Sequence, residues 1–107
     1  MSVDTSSACG PTGLAVHVDA ARAVRVASVA KLLSDPVRVQ LLDVLREHRG
    51  DVCQCELQPL FGVSQPTLSH HLRKLEEAGV VTVQRRGRWA YYALDDDTLE
   101  VLRSWLS

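Results

Sequence analysis

Apolar residues recur at helical spacing through most of the chain, and the spacing changes near residue 80. The first helical pattern starts at Asp19, and a second fills 35–50, where Asp35 precedes Pro36 and Gly50 comes last. An aspartate before a proline is typical of a helix N-terminus, and a glycine is typical of the C-terminal end. We therefore predict two consecutive helices. Their core-facing positions would be Ala23, Val26, Ala27, Ala30 and Leu33 in the first helix and Val37, Leu41, Leu42 and Leu45 in the second.

Two shorter helical segments follow and lie close together in the sequence. The stretch "CQCELQPLFG" ends at Gly62, and Pro59 within it predicts a helix that starts near Cys55 or bends there. The stretch "VSQPTLSHHLRKLEEAG" opens with Ser64 as a helix cap and stops at Gly79. Because the link between the two segments is so short, they predict a helix-turn-helix. The buried stripe of its second helix would be Leu68, Leu72 and Leu75.

Beyond residue 79 the pattern becomes that of strands. "VVTVQRRGRWAYYAL" is rich in β-branched and aromatic residues around Arg86 and Gly87, which predicts a β-hairpin over roughly 80–94. Asp95–Asp97 then open a last helix, and its apolar side would need a second subunit to cover it. That side consists of Leu99, Leu102, Trp105 and Leu106. The elements together predict a mainly helical, winged helix-turn-helix domain over 19–107, behind a mobile N-terminal arm over 1–18.

Composition narrows the class of protein. The chain has 107 residues, 46% apolar and 23% charged, which is enough for one folded domain. It has no apolar run of transmembrane length, and its start lacks the basic and apolar regions of a secretory signal. Three cysteines cannot all pair within one chain, which favours reduced thiols. We therefore expect a cytoplasmic protein without a membrane partner.

Basic residues concentrate where the predicted fold would meet nucleic acid. The whole chain carries a net charge of −1, but 64–94 contains five basic and two acidic residues, a balance of +3. Short polar side chains on an exposed helix suit a major groove, and hairpin arginines suit phosphates or a minor groove, although such arginines also fit a solvated turn. His71 would be partly buried, since adjacent helical residues point about 100° apart. The predicted DNA contacts are Gln65, Thr67, Ser69, His70, Arg73, Arg85, Arg86 and Arg88.

Four stretches resemble the ArsR/SmtB family of metal-sensing repressors in order and spacing, over about residues 30–94. They are "SDPVRVQLLDVL", "VCQCEL", "LFGVSQPTLSHHLRKLEEAGVV" and "RRGRWAYYAL". The resemblance implies a homodimer, joined through the first and last helices, that binds double-stranded operator DNA and releases it on binding a metal or metalloid. It places Arg85–Arg88 in the wing. It places Ser64, Gln65, Ser69 and His70 on the recognition helix, so Ser64 joins the predicted DNA contacts.

The family senses ions at different places, and this sequence matches one of them. A common site needs histidine and acidic pairs on the last helix, which here offers only Asp95–Asp97 and Glu100. The other common site is a Cys-x-Cys in the first helix of the helix-turn-helix, and Cys53 and Cys55 match it. The resemblance therefore implies that these two cysteines bind the inducer.

The spacing of the two cysteines constrains the backbone around them. In a regular helix residues i and i+2 point about 200° apart, whereas in extended chain or at a frayed helix start they fall on the same side. Cys53 and Cys55 precede Pro59, in backbone that permits such a shape. Cys9 is the predicted third ligand, which would complete a trigonal sulfur set suited to As(III) or Sb(III) as inducer. No cofactor is required otherwise.

Several alternatives remain for the thiols. Cd(II), Pb(II) or Bi(III) would also bind soft thiolates, and a disulfide within the pair would give a redox-responsive repressor, although a strained one. The cysteines would also fit as small core residues of a DNA or protein adaptor that ignores metals. An enzyme is not expected, because thiol oxidoreductases and arsenate reductases use a Cys-x-x-Cys or a low-pKa cysteine on a phosphate-binding loop.

Overall fold

The computed structural model describes residues 13–107. Residues 1–12 lie outside the described residues, and Cys9 lies among them, so the predicted arm and its boundary at residue 18 stay predictions. Residues 13–18 form no helix or strand, and the first helix begins directly after Asp19. Within the described range, no helix is both long enough and apolar enough to cross a membrane.

Five α-helices and a three-stranded antiparallel sheet form the described part of the chain, in the predicted order. The helices are α1 (Ala20–Leu32), α2 (Pro36–His48), α3 (Gln54–Leu57), α4 (Gln65–Glu77) and α5 (Asp96–Leu106), and a 3-10 helix, Gln58–Leu60, continues α3. The strands are β1 (Val52–Cys53), β2 (Val81–Arg86) and β3 (Trp89–Leu94), and they lie in the order β1-β3-β2. The helix-turn-helix consists of α3 and α4, and the wing consists of β2 and β3.

One core holds the helices against the sheet. Its fully buried side chains come from α2, α3, α4 and the start of the wing, and they are Leu41, Leu45, Leu57, Leu68, Leu72, Leu75 and Val80. Every leucine predicted to be buried in α2 and α4 is buried. In α5, Leu99 packs against this core, whereas Trp105 and Leu106 are exposed. Helix α4 is therefore fixed to the domain by its inner face of Leu68, Leu72 and Leu75.

The predicted apolar stripe of α1 is wrong in part. The buried residues are Val26, Val29 and Leu32, and α1 packs against α5. Ala23, Ala27 and Ala30 are exposed within the single chain. Valine and leucine side chains bury more apolar surface than alanine. The rotation of α1 about its axis that directs the valines and the leucine inward is therefore favoured.

Local caps set the ends of α2. The carboxylate of Asp35 accepts hydrogen bonds from the backbone N–H groups of Val37 (2.8 Å) and Arg38 (3.4 Å). Partial desolvation raises the pKa of Asp35, but these N–H groups and nearby positive charge outweigh it and hold the pKa below its usual range. At the other end the helix stops at His48; Arg49 takes the left-handed conformation (φ 57°), and Gly50, the predicted closing residue, follows it with φ 148°.

The ends of α4 agree with the prediction. The Ser64 hydroxyl accepts a hydrogen bond from the backbone N–H of Thr67 (3.3 Å). At the C-terminus Gly79 adopts φ 77°, and the N–H of Val80 donates to the Leu75 carbonyl (3.0 Å). That pattern closes a helix with left-handed backbone, which glycine adopts without steric cost. The chain therefore leaves α4 directly into β2.

The sheet contains the predicted hairpin and one strand that was not predicted. In the hairpin Val81 pairs with Leu94 and Arg86 pairs with Trp89, so the turn is tight and contains Gly87 at φ 62°. The unpredicted strand is β1, in which Val52 pairs with Tyr92. A strand of this length carries no alternation that sequence analysis could detect.

Candidate functional site

The two thiols of the Cys-x-Cys lie in a segment that we call the cysteine turn, residues 51–57. Cys53 ends β1 and caps α3, with extended backbone (φ −69°, ψ 141°). Its sulfur accepts a hydrogen bond from the backbone N–H of Cys55 (3.3 Å), and its own N–H donates to the Glu56 carboxylate (2.9 Å). The cysteine turn is therefore an extended residue followed by a helix start, which is the backbone that the Cys-x-Cys spacing requires.

The side chains of Cys53 and Cys55 are close to each other and differ in exposure. Both thiols are free; Cys53 is buried (4% exposed) and Cys55 is exposed. A hydrogen bond to the Cys53 thiol raises the pKa of Cys55, and desolvation and the charges of Cys53 and Glu56 act in the same direction. The two cysteines are therefore neighbours in the cysteine turn, with the Cys53 side chain buried and the Cys55 side chain facing solvent.

Within residues 13–107, no three His, Cys, Asp or Glu side chains cluster in a way that could hold a metal ion. The predicted third ligand, Cys9, lies outside that range. The cysteine turn alone thus supplies two sulfurs. The assignment of Cys9, Cys53 and Cys55 as ligands stays a prediction.

The recognition helix α4 presents most of the predicted DNA contacts to solvent. Ser64, Gln65, Thr67, His70 and Arg73 are exposed at its N-terminal half and outer face. An Arg73 guanidinium nitrogen lies 3.4 Å from Nδ1 of His70. These side chains stand at the end of a helix that is otherwise packed into the domain, as a groove-reading helix requires.

One predicted DNA contact of α4, Ser69, faces inward, as does His71, which was predicted to be partly buried. Ser69 is half-buried, and its hydroxyl accepts a hydrogen bond from Nε2 of Gln54 (2.7 Å). His71 is buried as predicted, and an Arg38 guanidinium nitrogen lies 3.5 Å from its Nδ1. Arg38 also donates to the Leu32 carbonyl (2.9 Å), so one arginine joins the end of α1 to the recognition helix.

Gln54 was not singled out by sequence reasoning. It lies between the two cysteines, and its bond to Ser69 joins the cysteine turn directly to the recognition helix. Its position inside the Cys-x-Cys was the only signal available, since the partner is 15 residues away. Only the tertiary structure shows that it reaches α4.

The wing arginines do not share one environment. Arg85 lies 3.6 Å from the Glu76 carboxylate at the end of α4. Arg86 pairs with Asp51 of the cysteine turn (3.0 Å) and lies over the Tyr91 ring, 4.5 Å from its centroid. Arg88 lies at the exposed tip. Arg85 and Arg86 therefore connect the wing to α4 and to the cysteine turn through exposed ion pairs, which add little stability.

Comparisons with known proteins agree with this architecture. Residues 35–83 match the family model for bacterial regulatory proteins of the arsR family. The arsenical resistance operon repressor of Staphylococcus xylosus is 38% identical over 77 residues, 72% of each chain. A cadmium resistance transcriptional regulatory protein homologue of Staphylococcus aureus is 39% identical over 77 residues, 72% of this chain and 63% of that protein.

A solved structure shares the fold. The homodimeric winged helix-turn-helix DNA-binding domain of a Mycobacterium bovis protein superposes with a TM-score of 0.65 at 27% identity, covering 87% of each chain. The matched region contains the whole helix-turn-helix and the start of the wing, where the exposed recognition helix and the cysteine turn meet. This chain therefore belongs to the ArsR family of winged helix-turn-helix transcriptional repressors, and it is a regulator rather than an enzyme.

Proposed function

We propose that this protein is a metalloid-responsive repressor: a dimer that binds operator DNA and is released when As(III) or Sb(III) binds its cysteine thiolates. The observation that carries the proposal is the position of the cysteine turn. It contacts the recognition helix through Gln54 and Ser69, and it contacts the wing through β1 pairing and the Arg86–Asp51 ion pair. A ligand that reshapes this turn therefore acts on both DNA-binding elements at once.

The DNA-binding part of the proposal uses the exposed end of α4 and the wing. Gln65, Thr67 and His70 would meet base edges in a major groove, and Ser64 and Arg73 would meet the flanking backbone. Ser69 would position α4 through its bond to Gln54 rather than reach the base edges. Arg85, Arg86 and Arg88 would meet phosphates or a minor groove beside it.

The dimer part of the proposal uses α1 and α5. These helices pack on each other at one side of the domain, and Val24, Trp105 and Leu106 remain exposed there. The Mycobacterium bovis neighbour is homodimeric, which supports the same association here. Two recognition helices related by a twofold axis would match operator half-sites about 34 Å apart. Trp105→Arg is expected to yield monomers in sedimentation, and an unchanged dimer would contradict this interface.

The ligand part of the proposal uses the two sulfurs of the cysteine turn, with Cys9 as third donor. As(III) and Sb(III) take three thiolates in a trigonal arrangement, and the arsenical resistance repressor of Staphylococcus xylosus supports this class of inducer. Cd(II) is the second candidate, supported by the cadmium resistance relative; Pb(II) and Bi(III) share its preference for sulfur. Cd(II) would usually require a fourth donor.

The coupling between ligand binding and operator binding would come from a change in the shape of the cysteine turn. For Cys53 and Cys55 to share one centre, both side chains would have to direct their sulfurs at it, which would change the geometry of the hydrogen bond from the Cys55 N–H to the Cys53 sulfur. The start of α3 then shifts, and Gln54, which lies between the two cysteines, moves with respect to Ser69. A ligand that binds better in the shifted state stabilises it. A coupling of about 1–3 kcal/mol would weaken operator binding roughly 5–150-fold.

The test is a fluorescence-anisotropy titration with an operator fragment selected from random DNA. We expect arsenite to weaken binding by wild-type protein roughly 5–150-fold, and to leave Cys53→Ser and Cys55→Ser bound. Both variants should bind DNA normally without arsenite, because neither cysteine is a predicted DNA contact. Gln40→Ala, which changes an exposed residue on α2 outside the proposed DNA and dimer surfaces, is the control and should respond like wild type.

Two results would reject parts of the proposal. Release by Cd(II) but not by arsenite would replace the inducer and keep the mechanism. An intact arsenite response in both cysteine variants would remove the cysteine turn from sensing altogether. Counting sulfur ligands by X-ray absorption, with and without Cys9→Ser, would decide whether Cys9 completes the site.

A further inference from the structure

A cleft opens beside the exposed thiol of Cys55. It has a volume of about 480 Å³ and lies between the helix-turn-helix and the wing. Pro59, Trp89 and Ala90 supply its apolar wall, and Gln65 and Arg88 stand at its polar side. Trp89 is 49% exposed, so a large part of an indole face is open to a ligand. A cleft of this size is within the range that binds small molecules.

The cleft adjoins a donor set that is complete for one class of ligand. A trivalent arsenic that already carries one carbon substituent has two valences left for sulfur. Cys53 and Cys55 supply two sulfurs, whereas inorganic As(III) needs a third that the described residues do not provide. For phenylarsine oxide the reaction is an exchange: two S–As bonds form, the As–O bonds break, and the oxygen leaves as water with both thiol protons. No oxidant or reductant is needed.

We propose that the cysteine turn binds aryl-substituted trivalent arsenicals through Cys53 and Cys55 alone, with the aryl ring in the cleft against Trp89. This rests on the proposed function, because it assumes that the two thiols are the metalloid ligands. The position of Cys55 in the cleft lining directs the substituent into the cleft. Aromatic faces and the Arg88 guanidinium both favour a bound ring.

The cleft also links such a ligand to DNA release by a second route. Gln65 and Arg88, both proposed DNA contacts, line the same cleft as Cys55. A ring in the cleft lies between the N-terminus of α4 and the tip of the wing. It would hinder the approach of DNA there directly, in addition to reshaping the cysteine turn. We therefore expect an aryl arsenical to release the operator more completely than arsenite does.

The experiment compares phenylarsine oxide with arsenite on the full chain. Affinities are measured by competition with a small dithiol, and operator release is measured by anisotropy. In Cys9→Ser, phenylarsine oxide affinity should stay within about twofold of wild type while arsenite affinity falls. In Trp89→Ala, phenylarsine oxide affinity should fall about tenfold, and arsenite affinity should not change. Trp89→Phe keeps a ring at the wall and should restore most of the loss.

Each part has an outcome that overturns it. If Cys9→Ser weakens phenylarsine oxide and arsenite equally, the pair does not act alone. If Trp89→Ala leaves phenylarsine oxide affinity unchanged, the ring does not occupy the cleft. Gln40→Ala, which alters an exposed residue of α2 outside the cleft, should behave as wild type. Failure of arsenite to bind Cys53 and Cys55, with phenylarsine oxide still bound there, would reject the proposed inducer and keep this inference.

Discussion

The recognition helix α4 and the cysteine turn lie side by side and are built in opposite ways. Helix α4 has 13 residues, a capping serine, a glycine closure and fully buried Leu68, Leu72 and Leu75. The cysteine turn consists of Asp51, a two-residue strand and a four-residue helix. It contacts the rest of the domain through pairing with β3, through Leu57 in the core, and through the Gln54–Ser69 hydrogen bond.

The difference separates a rigid element from an adjustable one. A helix with a full apolar face and satisfied ends moves as a unit. A short segment held by a few separate contacts can exchange one contact for another at low cost. The thiols thus lie in a short segment, next to the helix that carries most of the predicted DNA contacts.

The largest expected effect compares buried leucines of the two regions. Leu72→Ala should lower the free energy of unfolding by about 3 kcal/mol, and Leu57→Ala by about 2 kcal/mol, because a four-residue helix can collapse further into the cavity. Urea unfolding at one protein concentration measures both. Equal losses would mean that the cysteine turn is as rigid as α4.

The second comparison is between the two helix caps. Ser64→Ala removes the hydroxyl that accepts from Thr67 and should cost about 1 kcal/mol of stability. Glu56→Ala removes the carboxylate that accepts from the Cys53 N–H and should cost only about 0.5 kcal/mol, since α3 is short. Glu77→Ala, at an exposed site late in α4, is the control and should change stability little.

The third comparison tests the bond that joins the two regions. Gln54→Ala and Ser69→Ala should show an interaction energy of about 0.5–1 kcal/mol in a double-mutant cycle of stability. Gln54→Ala should also reduce the weakening of operator binding by arsenite, because the cysteine turn then loses its direct contact with α4. Gln40→Ala, an exposed glutamine of α2, serves as the control. A full arsenite response without Gln54 would assign the coupling to the wing.

The smallest effect concerns the thiols themselves. The hydrogen bond to Cys53 raises the pKa of Cys55, so at a given pH less of Cys55 is thiolate than in a free cysteine. Alkylation of Cys55 by iodoacetamide should therefore reach its half-maximal rate at a pH above the usual range. In Cys53→Ala that midpoint should move down and the rate near pH 8 should rise. An unchanged pH profile would show that the two sulfurs do not interact in solution.

Much of the fold follows from local signals in the sequence. Asp35, Ser64 and Asp95 cap their helices as residues of that type do, and the leucine spacing of α2 and α4 gives the buried faces. The change from helical spacing to a run of β-branched and aromatic residues near residue 80 predicts the hairpin that β2 and β3 form. The end of α2 was predicted less exactly, because Arg49 adopts the left-handed backbone one residue before the expected closing glycine, Gly50.

The sequence by itself determined the helices, the hairpin and the presence of a thiol pair, because caps, turns and apolar spacing act over a few residues. Only the tertiary structure decided what those thiols touch. Strand β1 exists because β3 lies beside it, Gln54 meets Ser69 across 15 residues, and Arg86 meets Asp51 across 35. Contacts between distant residues depend on how whole elements pack, and no local pattern of side chains encodes that packing.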